Sequence, residues 1–413
     1  MEKICLTGST LTLEELVQVA RYGAPVELDP QARERILHSR KIIDDFVDRE
    51  EVVYGVTTGI GKFCEIFINK ENCVTLQKNI IITHAAGAGD PFPTEVVRGI
   101  MLLRLNNFAK GFSGIRIETV DTMIAMLNKG VHPIIPQKGS LGASGDLAPL
   151  SHMVLPIIGL GRAEYQGKVL SGKEAMESAG IPTTNLYAKE GVALINGTQV
   201  MTSVGGLALY DALNLSKAAD IAAALTFEAC NGIVTALDEQ VHQVRPHKGQ
   251  LCTAKNLRDM LADSEMTSEQ GQIRVQDPYT LRCVPQIHGA TKNALAYIRD
   301  QVELEMNSVT DNPIIFPETT QVISGGNFHG QPMALSFDFL GIAAAELADV
   351  SERRIERLVN PQLNYGLPGF LVADGGLNSG YMILQYTAAA LVSENKVLAH
   401  PSSVDSIPSS ANQ

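Results

Sequence analysis

At 413 residues the chain can hold two or three average domains or one large helical one, and 45 % hydrophobic against 19 % charged residues excludes bulk disorder. The net charge of −12, from 33 basic and 45 acidic residues with no basic stripe, argues against nucleic acid or any other polyanion as a partner. Cys5, Cys64, Cys73, Cys230, Cys252 and Cys283 lack CxxC spacing and read as reduced thiols of a cytoplasmic protein, neither a disulfide framework nor a metal site. Met1 to Thr7 has no signal-peptide core, and polar residues interrupt the most apolar helices short of a membrane-spanning length, so no membrane association is expected.

Thr12 to Tyr22 reads as a helix with a capping box, Thr12 with Glu15, a Leu11–Leu16 staple, and Gly23 as its stop. Asp29-Pro30 opens a second helix, a cap followed by proline at the first position. Glu51 to Phe63 changes character: a short β-branched run leads into a loop with Gly55, Gly59 and Gly61, either a plain hinge or a mobile loop carrying the Tyr54 phenol. From Thr75 the pattern is overwhelmingly helical, with helices expected over Thr94 to Asn107, Ile117 to Asn128 and Leu147 to Leu160. Gly161 to Lys189 is polar and irregular, with room for a short strand pair. Val200 to Ala229, Met333 to Val359 and Gly376 to His400 read as long, Ala-rich core helices suited to a close-packed bundle. The absence of βαβ alternation argues against a doubly wound fold. The expected fold is therefore mainly α.

Several polar groups stand in apolar or small-residue settings. His84 lies in Thr-His-Ala-Ala-Gly, where a structural, hydrogen-bonded histidine is the commoner role. Asn196 follows an apolar run, as an Asn-Gly turn also would. Gln276 to Arg282 packs an amide, a phenol (Tyr279) and a guanidinium together; Arg282 suits a carboxylate, whose two oxygens its planar donors match, or a surface ion pair. Ser324 to Gly330 is a Gly-rich loop with Phe328 and His329. No Walker motif, dinucleotide fingerprint or His-Glu-x-x-His pair occurs, and Asp146 stands where a nucleophile elbow needs glycine.

Gly139 to His152 carries the sharpest chemistry. Ser144 sits between Ala143 and Gly145, just before a helix that Asp146 is placed to cap and Pro149 to start. One reading is a Gly-rich helix entry or anion-binding turn. The other is a backbone cyclisation, in which the Gly145 nitrogen meets the Ala143 carbonyl carbon and loss of the Ser144 hydroxyl leaves an exocyclic methylidene.

Five segments in this order closely resemble the ammonia-lyases of histidine and the aromatic amino acids: Tyr54 to Gly59, Gly142 to Ser151, Asn196-Gly197-Thr198, Gln276 to Gln286, and Gly326 to Gly330. The resemblance runs from about Leu6 to the last residue. It implies that Ala143, Ser144 and Gly145 form 4-methylidene-imidazol-5-one (MIO) autocatalytically, with Asp146 assisting and with no metal or diffusible cofactor. The substrate amine then adds to the methylidene, a form of covalent catalysis. Tyr54 matches the general base for the β-proton; a phenol ordinarily titrates near pH ~10, so such a base needs activating surroundings. Tyr279 and Asn196 match residues that hold substrate and prosthetic group, Gln276 and Phe328 stand alongside, and Arg282 matches the carboxylate anchor. The implied fold is a long central helical bundle (residues 111–413) with a smaller N-terminal mixed domain (1–110) bearing the Tyr54 loop. The implied assembly is a homotetramer with shared active sites.

The resemblance also bears on the substrate. Relatives specific for phenylalanine or tyrosine place Phe-Leu or His-Leu where this chain has Thr83-His84, whereas the histidine enzymes have Ser-His. His84 can hydrogen-bond a substrate imidazole, so the expected reaction is L-histidine to trans-urocanate and ammonia. The rivals are an MIO-dependent lyase or 2,3-aminomutase acting on tyrosine or phenylalanine, and a non-catalytic helical assembly subunit. Ser409 to Gln413 stops inside the family's Ser-Ala-Asn-Gln-Glu-Asp-His motif, before a glutamate that helps recognise the imidazole. The expectation is weak activity or none unless another piece completes the pocket.

Overall fold

In the computed structural model, which describes residues 2–409, small two- and three-stranded sheets interrupt a succession of helices. β1 (Ile4–Leu6) and β2 (Val26–Leu28) pair in parallel on either side of α1 (Leu13–Ala20) in the sequence. Thr12 and Glu15 form the expected capping box, and Leu11 and Leu16 are both buried. α2 (Pro30–Asp48) begins where Asp29 accepts the Ala32 N–H at 2.9 Å. There follow α3 (Lys70–His84), β3 (Ala88–Pro91), α4 (Thr94–Ala109), α5 (Ile117–Lys129), β4 (His132–Pro133), β5 (Pro136–Lys138) and α6 (Leu147–Val154). The segment from 161 holds the expected strand pair, β6 (Arg162–Tyr165) and β7 (Lys168–Ser171), and then α7 (Gly172–Ser178) and α8 (Glu190–Ile195). The remainder is α9 (Gln199–Ala229), α10 (Glu239–Gln243), α11 (Lys248–Met260), α12 (Tyr279–Arg282), α13 (Val284–Met306), β8 (Ile314–Phe316), β9 (Gln321–Ile323), α14 (Gln331–Val359) and α15 (Met382–Leu398). The fold is mainly α, with long helices where the Ala- and Leu-rich stretches predict them.

Two compact units are distinguishable: Met1–Ala208 with Gln301–Ala334 and Asp405–Gln413, and Leu209–Asp300 with Leu335–Val404. A boundary after residue 110 does not coincide with this division, because α4, which ends at Ala109, packs on both α1 and α5 within the first unit. α4 is buried on every side from Val96 to Ala109, which explains its mixed apolar spacing: a helix surrounded by protein has no polar face to alternate with. A neighbouring cluster of the same unit gathers Ile42, Ile43, Val56, Cys73, Ala188 and Ile315.

In the second unit the core is Ala223, Phe227, Cys230, Leu237, Leu257, Leu261, Leu281 and Val284. Buried Asp220 answers its own cost of burial there by accepting from Lys292 Nζ at 2.8 and 2.9 Å and bonding the His288 ring at 2.8 Å. α15 buries none of its side chains and leaves Ile383, Tyr386, Leu391, Val397 and Leu398 largely exposed.

One expectation is corrected. Glu190–Ala229 is long and apolar enough, by length and composition, to cross a membrane. Its most apolar window is 83 % buried inside the protein, as in a core helix. The polar residues that seem to interrupt it in the sequence are instead internal partners: Ser203 donates to Val96 O at 2.9 Å.

Candidate active site

The Ala143-Ser144-Gly145 triad lies in a tight turn directly before α6. Gly142 has φ +79°, a left-handed conformation that turns the chain back on itself. Leu141 N–H donates to Gly145 O at 3.2 Å, and Ser140 Oγ donates to Asp146 Oδ1 at 2.9 Å. The Ala143 carbonyl accepts the Gly330 N–H at 3.3 Å.

Asp146 stands at the N-cap position of α6, but its side chain does not cap that helix. Its Oδ2 accepts instead from Val200 N–H at 2.8 Å and Met201 N–H at 3.1 Å, orphan donors in the first turn of α9. The carboxyl is 1 % exposed. Burial pushes it above the ordinary carboxylate range, against the opposing pull of Met201 N–H, Ser140 and Val200 N–H.

Ser144 Oγ donates to Asn196 Oδ1 at 2.5 Å, so the amide that follows α8 meets the triad directly. Asn196 is held on three sides. Its Nδ2 donates to Asn312 O at 3.1 Å, its backbone carbonyl accepts from Arg104 at 2.9 Å, and its own N–H completes α8 by donating to Val192 O. Arg104, with no exposed surface, also donates to Ala193 O at 3.0 Å and to the Gln199 side chain. Burial lowers its pKa to about 10.

Gly197 is forced by this packing. Its φ is +150°, and an added Cβ would fall 2.4 to 2.8 Å from Gln199, Arg104 and Thr310 side-chain atoms. Gly197→Ala is expected to destabilise the protein by about 1–3 kcal/mol, the usual cost of a residue in a disallowed backbone region, read as a lower denaturant midpoint.

Tyr54 occupies a turn pinned by its threonines. Thr57 Oγ1 accepts from Val53 N–H at 2.9 Å and donates to Glu51 O at 2.5 Å, while Thr58 Oγ1 accepts from Gly55 N–H at 3.2 Å. Val56, with no exposed surface, anchors the turn in the core, and the half-buried Tyr54 hydroxyl accepts from Gly61 N–H at 3.4 Å.

His84 ends α3, its Nδ1 2.8 Å from Ile80 O. A carbonyl only accepts, so Nδ1 is the donor in this bond, and Nε2 takes no part in it. Thr83 Oγ1 lies 3.3 Å from the same ring nitrogen and donates to Asn79 O at 2.8 Å. Phe328 is half-buried in the turn before α14.

Among the described residues, no hydrogen bond joins Tyr54, His84 or Phe328 to Ser144 or Asn196. Gln276, Tyr279 and Arg282 belong to the second unit. Gln276 and Tyr279 are exposed there. Arg282 Nε donates to Asp277 O at 2.9 Å, and its guanidinium stacks over the Tyr279 ring at 4.5 Å. The backbone bond orients the side chain, and among the described residues no hydrogen bond takes its terminal nitrogens, a pair whose geometry suits a two-oxygen ligand. Asp277 is itself fixed by Ile233 N–H at 2.6 Å and by Arg274. The residues from Ser410 to Gln413, part of the expected recognition motif, lie outside the described residues.

Sequence reasoning misses Arg104, Lys189 and Asp311. Lys189 and Asp311 form an ion pair at 2.8 Å with no side-chain exposure on either partner, and Asp311 also accepts the Asn312 N–H at 2.6 Å. A guanidinium inside Met101 to Leu105 is the one signal that points to this set. Among the described residues, no group of three or more His, Cys, Asp or Glu is placed to hold a metal ion.

Compared with known proteins, residues 11–413 match the family model for aromatic amino acid lyases. Over 413 residues the chain is 64 % identical to the histidine ammonia-lyase of Alkaliphilus oremlandii, which covers 100 % of this chain and 81 % of that protein. Of the solved structures, the histidine ammonia-lyase from Trypanosoma cruzi superposes with a TM-score of 0.91 at 41 % identity, over 100 % of this chain and 78 % of that one. Tyrosine aminomutase from Streptomyces globisporus gives a TM-score of 0.95 at 37 % identity, over 100 % and 81 %.

Proposed function

Because the chain belongs to the aromatic amino acid lyase family, we propose that it eliminates ammonia from L-histidine to give trans-urocanate. It is a carbon–nitrogen lyase, and the observation that carries the choice of histidine is its likeness to histidine ammonia-lyases over every residue.

The residues of the Ser144 turn fit an MIO group. Gly145 occupies a position where a Cβ would meet Ser140 Oγ at 3.0 Å, Gly142 O at 3.3 Å and Leu141 N at 3.4 Å, a cradle only a side-chain-free residue fits comfortably. Ala143, Ser144 and Gly145 would form the group, with Asp146, Asn196 and Phe328 around it. It would supply an electrophilic methylidene that takes up the substrate amine and turns ammonia into a competent leaving group.

The other roles fall to side chains. Tyr54 Oη takes the proton from the substrate β-carbon. The Arg282 terminal nitrogens grip the α-carboxylate, with Gln276 and Tyr279 beside them. His84 Nε2 accepts the N–H of the substrate imidazole, a bond that a phenyl ring cannot make. The assembly is a homotetramer with active sites shared between copies, a reading supported by the exposed apolar residues of α15. A cytoplasmic location is supported by six free cysteines.

The test is a substrate panel followed by ultraviolet absorbance. Urocanate is expected from L-histidine; coumarate or cinnamate from tyrosine or phenylalanine, with no urocanate, would overturn the reading. His84→Leu is expected to lower kcat/KM for histidine by about ten- to a hundredfold, the cost of leaving the substrate's N–H unpaired in a closed site. Its melting temperature should change little.

A further inference from the structure

Ring closure needs the Gly145 nitrogen pressed toward the Ala143 carbonyl carbon, two residues back along a chain that ordinarily holds them apart. The turn supplies that pressure from its base. Two bonds cross it side by side, Leu141 N–H to Gly145 O at 3.2 Å and Ser140 Oγ to Asp146 Oδ1 at 2.9 Å. Five residues, 141–145, are pinched between them. The far side is fixed independently, because Asp146 Oδ2 is locked to the Val200 and Met201 amides. Ser140 is thus the side chain that ties the near strand of the turn to an immobile carboxylate.

We propose that Ser140 is a positioning residue for formation of the prosthetic group, its hydroxyl clasping the base of the turn so that the Gly145 nitrogen is held against the Ala143 carbonyl carbon. The inference rests on the MIO reading of the triad. In the step it assists, the Gly145 nitrogen bonds to the Ala143 carbonyl carbon. The carbonyl oxygen leaves as water with the amide protons of Gly145 and Ser144, and a C=N bond forms to the Ser144 nitrogen. A second water takes the Ser144 hydroxyl and Cα proton and leaves the methylidene. No oxidant or reductant is needed. The Gly330 N–H, 3.3 Å from the Ala143 oxygen, faces the atom on which negative charge gathers during the attack.

The experiment follows intact mass against time after synthesis of the full chain, for the parent and for Ser140→Ala, Ser140→Gly and Ser140→Thr, with melting temperatures alongside. The parent and Ser140→Thr, which keeps the hydroxyl, are expected to become lighter by two waters at similar rates. Ser140→Ala and Ser140→Gly are expected to lose them about tenfold more slowly, the order set by one hydrogen bond, at an unchanged melting temperature. Parental rates in either hydroxyl-free variant, or a folded Ser140→Thr as slow as Ser140→Ala, would overturn the assignment. Unfolding of both hydroxyl-free variants would also overturn it, making Ser140 a stability residue. A parent chain that keeps both waters overturns the MIO reading itself, and the two failures are thereby told apart.

Discussion

Tyr54→Phe is expected to lower kcat by about 10²–10⁴, the range that a positioned acid or base contributes, while leaving the fold intact. The separation of the two effects follows from what the hydroxyl touches. Among the described residues its one hydrogen bond is a long one, accepted from Gly61 N–H at 3.4 Å. The turn itself is held by Thr57, Thr58 and the buried Val56, none of which depends on the phenol oxygen. Phenylalanine keeps the ring in place. Steady-state rates on L-histidine, a thermal melt and the intact mass together check the expectation. A variant that keeps its two-water deficit and its melting temperature yet loses its rate assigns the loss to proton removal. Unchanged kcat would remove Tyr54 from the role of base.

Asp311→Ala is expected to cost about 3–5 kcal/mol, because it strands a buried cation. Lys189 has no exposed side-chain surface, and burial already pulls its pKa below the ordinary lysine value in spite of Asp311. Deleting the carboxylate removes both the charge that offsets this burial and the acceptor of Asn312 N–H. Asn312 O is the group that holds the Asn196 amide, so the loss is expected to reach activity as well as stability. The double variant Lys189→Met with Asp311→Leu should recover most of the stability, since a buried ion pair replaced whole by apolar groups is often neutral. Denaturant midpoints for the single and double variants check this; an Asp311→Ala chain as stable as the parent would show that water or another acceptor reaches Lys189.

Helix beginnings are the part of the fold most legible in the sequence, because a cap acts within four residues of itself. Thr12 with Glu15 and Asp29 with Pro30 both mark their helices to the residue. Asp146 shows the limit of that logic. Its position before α6 is readable, yet its side chain serves α9, whose amides lie more than fifty residues on and become neighbours only in the fold. The same holds for the site. Ser144 and Asn196 are each conspicuous as polar residues in small or apolar company, but their 2.5 Å bond is not written in either motif. Arg104, Lys189 and Asp311 leave fainter marks, since a buried charge is recognisable only when its partner is known. The Tyr54 turn, read as a β-branched run and glycine loop, is set by side-chain hydroxyls bonding nearby backbone, a local geometry that periodicity does not report.

The carboxylate shared by two distant segments has a consequence for the life of the nascent chain. Until residues 200 and 201 have been made and docked, Asp146 Oδ2 has no partners, and the turn that starts at Ser140 has nothing rigid to close against. On the MIO reading proposed above, an incomplete or misfolded chain would then carry only an ordinary, unreactive serine. The electrophile would arise after the surrounding walls are in place, when stray cellular amines and thiols no longer have open access to it. Self-modification would then act as a certificate of correct folding, legible as a mass deficit in each molecule.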